Sequence, residues 1–457
     1  MAADQRLKNL RGSGRRDFLR WGTAVAAALG VERARFLNVL NDNAGSALAD
    51  TASGSTTMKS VHLIGDNGGL AWFTQLFPYP TVAAAMPSGA ALYAKAYTAA
   101  ATDNPAYYAP DSPFQKLAKG KQMSVFVCGS NETHTKTPNT ALALGTSNLL
   151  AVASAIQTAS PSLLPVMAIN PFSFGTAAGA QTPATVANAA GLVGLFNSAA
   201  SETILKMPAN GALAESYFKA FLDLNAAAPR SAIQPAYATG RVATNLLTKN
   251  LASQLAMTTA DQTRYGFTAS TPTTVTEIGT AMCTAVKAFA LGLTNCLIIP
   301  AMQDDPHQAF TSPTTLESNV KTLGTIFDAF MADAMGLPDP AGGSDTLGDN
   351  VVITVSGDTP KNILTSSGWP DGTASNHNLL MVMGNGYLKT GWYGSLSTAG
   401  KLTTWDPNTG AAGTMTSAQL STYATSAAAY AIAKGDARRV SDFNGTVPAG
   451  IAIPQTS

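Results

Sequence analysis

Only four histidines occur in the chain, and three of them, His134, His307 and His377, stand in polar turns beside apolar runs. His307 closes Asp304-Asp305-Pro306-His307 after the run that ends at Ile299, and His377 follows Asn376 just ahead of Leu379 to Met383. His134 lies in the loop after Cys128. Acids take matching places elsewhere: Asp66, with Asn67, follows Ser60 to Gly65, and Asp358 follows Val351 to Val355. Imidazole nitrogens and carboxylate oxygens are ligands for zinc, manganese or calcium. An ion held by them would activate water or steady a negatively charged group. Asp305, His307 and His377 are the core of this candidate metal set, and Asp66, His134 and Asp358 are its additions. Each one alone reads more readily as a solvated or capping side chain, so it is their shared position that makes them a set. His62 differs, because it sits inside an apolar strand and reads as a hydrogen-bonded core residue.

Short apolar runs bounded by Gly or Pro must position these residues. Ser60 to Gly65, Met123 to Cys128, Leu163 to Ile169, Cys296 to Ile299, Val351 to Val355 and Leu379 to Met383 have the length and uninterrupted apolarity of strands buried on both faces of a parallel sheet. Helical spacing lies between them. Ile278, Met282, Ala285, Val286 and Phe289 share one helical face, as do Val320, Leu323, Phe327, Phe330 and Met331. Alternating strands and helices predict an α/β fold, a doubly wound, mostly parallel sheet with helices on both faces. Ligands of such sheets bind beyond the carboxyl ends of the strands, where the polar set stands.

The Ala-rich stretch of about 175–275 reads as a helical insertion, with helix signals at Ala212 to Leu224 and Val242 to Met257. From Thr416 a capped helix is predicted to run to Gly435, and 442–457 is expected to be a loose C-terminal tail. The domain itself is expected over 60–441.

The opening of the chain has a different character. Gly14-Arg15-Arg16-Asp17-Phe18-Leu19-Arg20 precedes the apolar run Trp21 to Val31. That run of about 11 residues is too short for a bilayer span of about 20. Paired arginines, a Phe-Leu pair and a weak apolar core form a twin-arginine signal, in which Arg15, Arg16, Phe18 and Leu19 are the recognised residues. The implied partner is the twin-arginine export machinery, and the implied destination is the periplasm, the cell surface or the medium. Ala47-Leu48-Ala49 fits a cleavage site, giving a signal over 1–49 and a linker over 50–59.

Residues 1–49 hold eight of the 28 Lys+Arg and four of the 27 Asp+Glu, so removing them turns a net charge of +1 into −3. A mildly acidic chain with 12% charged residues has no footprint for phosphate backbones, and nucleic acid is not expected as a partner. Nor does the remainder contain an apolar stretch long enough for a permanent membrane span. The three cysteines, Cys128, Cys283 and Cys296, are expected as buried free thiols, with a Cys283–Cys296 bridge as the alternative.

Several motifs, in their order along the chain, resemble a known family. Asn104-Pro105-Ala106-Tyr107-Tyr108 is similar to its Asp-Pro-Ala-Tyr-Tyr segment, and Asp305-Pro306-His307 to its Asp-Thr-His, which also follows an apolar strand and precedes a long helix. Thr354 to Pro360 with Lys361 resembles Ser-Glu-Phe-Gly-Arg-Thr-Pro-Arg, and Asn376-His377 resembles Asp-His. Met383-Gly384-Asn385-Gly386 through Trp392-Tyr393-Gly394 resembles a closing Gly-Gly-Gly…Tyr-Gly. The family is the exported bacterial domain of unknown function fifteen-oh-one, within the alkaline-phosphatase and sulfatase superfamily. The resemblance covers most of the exported part and is weakest in the Ala-rich middle. It implies a metal-dependent hydrolase of phosphate or sulfate esters, with one or two divalent ions.

Departures from the pattern bear on that expectation. Val355 stands where the family has Glu, Asp358 where it has Arg, Asn376 where it has the Asp of Asp-His, and Gly68 where it has its first acid, two residues beyond Asp66. A site with two ions needs anionic ligands to offset their charge. Superfamily enzymes also need a nucleophile, for which Ser130, Thr133 and Thr135 are the nearby hydroxyls. The rival expectation is a non-catalytic exported protein that keeps the fold and binds a surface partner. A Ser-His-Asp esterase ranks behind both, since no Gly-x-Ser-x-Gly elbow occurs.

Overall fold

Runs with no polar alternation have no face to leave in water, and the protein buries them on both sides of one sheet. The computed structural model describes residues 57–65, 68–79, 108, 112–117, 123–129, 142–160, 162–170, 174–196, 251–303, 312–340, 344–357, 377–384, 386–396 and 401–455. The sheet contains Lys59–Gly65 (β1), Met123–Cys128 (β2), Val166–Ile169 (β3), Ala184–Val186 (β4), Cys296–Ala301 (β5), Val351–Gly357 (β6), Asn378–Met383 (β7) and Gly391–Tyr393 (β8). Their spatial order is β4-β3-β5-β1-β6-β7-β2-β8. β7 is antiparallel to both neighbours, and every other pairing is parallel. β1 lies at the centre, with His62 opposite Ile298 of β5 and Thr354 of β6. This is the mixed α/β architecture, with a mostly parallel sheet, that the apolar runs predict.

Helices cover the two faces. Leu149–Gln157 (α2) and Ser417–Ile432 (α8) pack together on one, where Gln157 Nε2 donates to Ser60 Oγ at 3.0 Å. Thr273–Ala290 (α6), Pro313–Gly336 (α7) and Leu70–Leu76 (α1) pack on the other, where Phe73 and Phe77 of the α1 segment meet Phe327 of α7 edge to face. Alternation along the strands divides the core accordingly. Ile64, Cys296, Ile298, Val166 and Ala168 pack with Leu150 of α2, and Val61, Leu63, Leu297 and Ile299 join the larger cluster.

Donors of Lys59, Gln157 and Asn295, sealed at the amino edge of the sheet, find buried acceptors. The Lys59 ammonium meets Asp339 at 2.5 Å with both side chains almost fully buried. Gln157 Nε2 also donates to the carbonyls of Met58 and Asn295, and Asn295 Nδ2 donates to Ser160 O at 2.6 Å. On the helical side, Thr259–Arg264 (α5) is tied to α6 and α7 by a charged clasp. Lys287 and Arg264 both bind Asp261, and Arg264 and Tyr265 reach Asp333. Burial raises the Asp261 carboxyl, but hydrogen bonds from Lys287, Thr258 and Arg264 outweigh it and hold the group well below the usual carboxylate range.

Two strands lack a sequence signature. β4 is a three-residue edge strand inside the stretch expected as a helical insertion, and it is followed by Ala189–Gly194 (α3); β8 is the three-residue edge on the far side. Of the helix signal at Val242 to Met257, residues 251–257 are described and Leu251–Leu255 (α4) are helical, and Ala212 to Leu224 lies outside the described residues. Thr416 caps α8 as predicted, in a capping box with Gln419. The expected loose tail is instead tied down. Leu388 pairs with Ala452, Lys389 N donates to Ile451 O, Ile453 N donates to Tyr387 O, and Ile451 is buried. All three cysteines are buried and free, so no Cys283–Cys296 bridge forms. Among the described residues no helix is long and apolar enough to cross a membrane. The expected signal, with Arg15, Arg16, Phe18 and Leu19, lies outside the described residues.

Candidate functional site

The carboxyl edge of the sheet is where the polar set must be sought, and the strand ends there are contiguous. β2, β7, β6, β1 and β5 are successive neighbours. Gly65, Ala301 and Gly357 end level with one another in register, and Asn378, the first residue of antiparallel β7, faces Cys128, the last of β2. At about 4.8 Å per strand these five ends span on the order of 19 Å. The chain leaves this edge directly before Asp66, Asp358 and the loops that carry His134, Asp305 and His307. Those five candidates, with Asp304, Asn376, Ser130, Thr133 and Thr135, lie outside the described residues. His377 is described: it is half-buried and sits immediately ahead of β7.

Asn378 fixes that histidine's backbone against β6. Its side chain is fully buried, with Nδ2 donating to Gly357 O and Oδ1 accepting from Leu379 N. The start of β7 is thereby held to the last residue of β6, the residue before Asp358. Sequence reasoning passed over Asn378, whose only signal is a polar residue opening an apolar run.

Sharp reversals mark the same edge. Gly68 after β1, Gly129 after β2, Asn170 after β3, Met302 after β5 and Gly357 at the end of β6 all have positive φ. Met302 is the unexpected member, since it is buried at φ +51. A side chain with a β-carbon is disfavoured there by about 1–2 kcal/mol. Strained backbone of this kind persists where its surroundings impose it, and it clusters at functional sites. Met302 stands two residues before Asp304. At β1 the constraint is steric, because a β-carbon on Gly65 would lie 2.5 Å from Leu70 N. α1 therefore doubles back directly on the strand.

The thiols do not belong to this chemistry. Burial pushes Cys283 up to about 11. It also pushes Cys296 up to about 12 despite a hydrogen bond with Ser60, and raises Cys128, at the end of β2, further still. They remain protonated near neutral pH and are poor nucleophiles and metal ligands. His62, in the middle of β1, is buried as its apolar context predicts, and its Nδ1 lies 2.7 Å from Thr354 Oγ1. It is sealed inside the sheet and takes no part at the edge. Among the described residues no group of three or more His, Cys, Asp or Glu is placed to hold a metal ion. Val355, where the resembled family has Glu, is fully buried in β6. Comparison with protein-family models, with curated proteins and with solved structures finds no match for this chain.

Proposed function

We propose that this is an exported protein of the alkaline-phosphatase and sulfatase kind, with the fold of that superfamily and an Ala-rich helical insertion, acting as a metal-dependent hydrolase of phosphate or sulfate esters. The observation that carries this reading is the contiguity of the five strand ends from which the candidate ligands extend. Asp305, His307 and His377 would hold a first zinc, manganese or calcium ion, with Asp66, His134 and Asp358 completing the set. Such an ion polarises an ester oxygen and offsets charge developing in the transition state. Asn378 and Gly357 serve the site by holding the chain just after His377 against the chain just before Asp358.

Elemental analysis of the purified exported protein is expected to find about one or two equivalents of metal, the number such sites hold. Replacing both His307 and His377 with alanine should remove the metal and abolish hydrolysis of p-nitrophenyl phosphate or sulfate. In a crystal structure, His307 and His377 should lie within reach of one ion, and a separation beyond about 12 Å would refute shared ligation, because zinc–nitrogen distances are only about 2.0–2.1 Å. A well-folded, metal-free and inactive wild type would favour the second reading, a non-catalytic exported binding or surface-assembly protein. Val355 supports that alternative, since a core valine occupies the place of an acid.

Export is expected to depend on the paired arginines. Replacing Arg15 and Arg16 together with lysine should leave uncleaved precursor in the cytoplasm, as fractionation and immunoblotting would show. Unchanged export of that double variant would remove the twin-arginine assignment.

A further inference from the structure

Thr57, Met58 and Lys59, the last residues of the expected linker, are all buried. Thr57 N donates to Ser160 Oγ at 3.0 Å, and the two hydroxyl oxygens lie 2.9 Å apart. Met58 N donates to Ile432 O at the end of α8, and Met58 O accepts from Gln157 Nε2. Lys59 opens β1 opposite Val351 of β6, with its ammonium sealed against Asp339. The backbone is therefore fixed from Thr57 onward, at the amino edge of the sheet.

Between the expected cut after Ala49 and this anchor stand Asp50-Thr51-Ala52-Ser53-Gly54-Ser55-Thr56, seven small or polar residues with no large apolar side chain to bury. Fully extended, seven residues reach about 23–25 Å. Proteases take their substrates as extended strands, and backbone that is buried and hydrogen-bonded resists them until it opens. The twin-arginine route carries its cargo folded, so the peptidase that removes the signal meets a domain in which Thr57 is already sealed. Without the seven residues, the chain just beyond the cut would be Thr57 to Lys59. Freeing it would strip Thr57 from Ser160 and Met58 from α8, and would part the buried charges of Lys59 and Asp339.

We infer that residues 50–56 are a spacer required for proteolytic removal of the signal, and that Thr57 is the boundary beyond which the fold forbids the cut. The inference rests on the export reading and is independent of any metal or hydrolase chemistry. Its test is pulse-chase labelling with cell fractionation of the full precursor, comparing the wild type, a deletion of 50–56, and a variant in which those seven residues become Gly and Ser. The deletion variant should be exported but cut more slowly by at least about a hundredfold, because a buried ion pair must open before cleavage. The Gly/Ser variant should be cut at the wild-type rate, since length and not identity is what the spacer supplies. Adding Ser160→Ala to the deletion removes both hydrogen bonds that hold Thr57, and should speed its processing by about tenfold. Amino-terminal sequencing of the mature wild type should give a first residue no later than Thr57, a readout that needs no variant to fold. Wild-type processing of the deletion variant, no cleavage of the Gly/Ser variant, or a mature start beyond Thr57 would each overturn the inference while leaving export intact. Wild-type precursor held in the cytoplasm would instead refute the export reading, and the inference with it.

Discussion

Replacing Gly357 with alanine is expected to prevent the central sheet from closing, with a loss of more than about 4 kcal/mol or outright failure to fold. Gly357 has φ +148, which L side chains rarely adopt, and it pairs with Gly65 across β1 and β6. A β-carbon there would lie 2.0 Å from Gly65 O and 2.6 Å from Gly65 N. Those are backbone atoms of the central strand, so they cannot swing aside as a side chain would. Relief requires parting β1 from β6 where α1 folds back and where Asn378 anchors β7. Gly194 provides the control: it ends α3 with open space around it, and alanine there should be neutral or stabilising by up to about 1 kcal/mol. Urea denaturation followed by circular dichroism separates the two, and a Gly357→Ala protein with the wild-type midpoint would refute the steric argument.

The same residue shows what the amino-acid sequence reveals and what it conceals. Val351 to Val355 announces a buried strand because five β-branched residues in a row, four of them apolar, suit nothing else so well. The six long apolar runs all became strands of the sheet. Their neighbours did not follow from any local pattern. β4 and β8 are three residues each, too short for a periodic signal, and the antiparallel setting of β7 depends on long-range pairing. Cooperation among distant residues was equally hidden. The clasp of Asp261, Lys287, Arg264 and Asp333 spans more than 70 positions, and the Lys59–Asp339 pair 280. At the site, what could be read was the recurrence of polar residues after strands, and the strand ends that they adjoin in sequence are neighbours in the sheet. Nothing in the spacing signalled Met302, since a methionine carries no mark of the left-handed backbone it adopts.

Acid is expected to weaken the protein through His62. The ring lies fully buried in β1 beside Thr354, and burial pushes it down from 6.5 to about 3. The unfolded chain therefore takes up this proton near pH 6.5, whereas the folded protein resists it until about pH 3. The associated stability is fully present above the unfolded value and declines by about 1.4 kcal/mol per pH unit below it. It is gone once the pH has passed below the folded value. Across that whole window the loss amounts to about 5 kcal/mol, comparable with the total stability of many domains. Asp261 and Asp436, both held low in the folded state, add to acid sensitivity at the lower end of the range. A His62→Gln variant isolates the histidine, because it removes one titration and leaves those carboxylates in place. Between pH 7 and pH 4 the free energy of unfolding, measured by urea titration, should fall more steeply in the wild type than in the variant, by close to one proton's worth of slope. Equal slopes would mean that the imidazole is protonated in the folded core, or that the core admits water to it, and either would contradict a sealed, neutral His62 at the centre of the sheet.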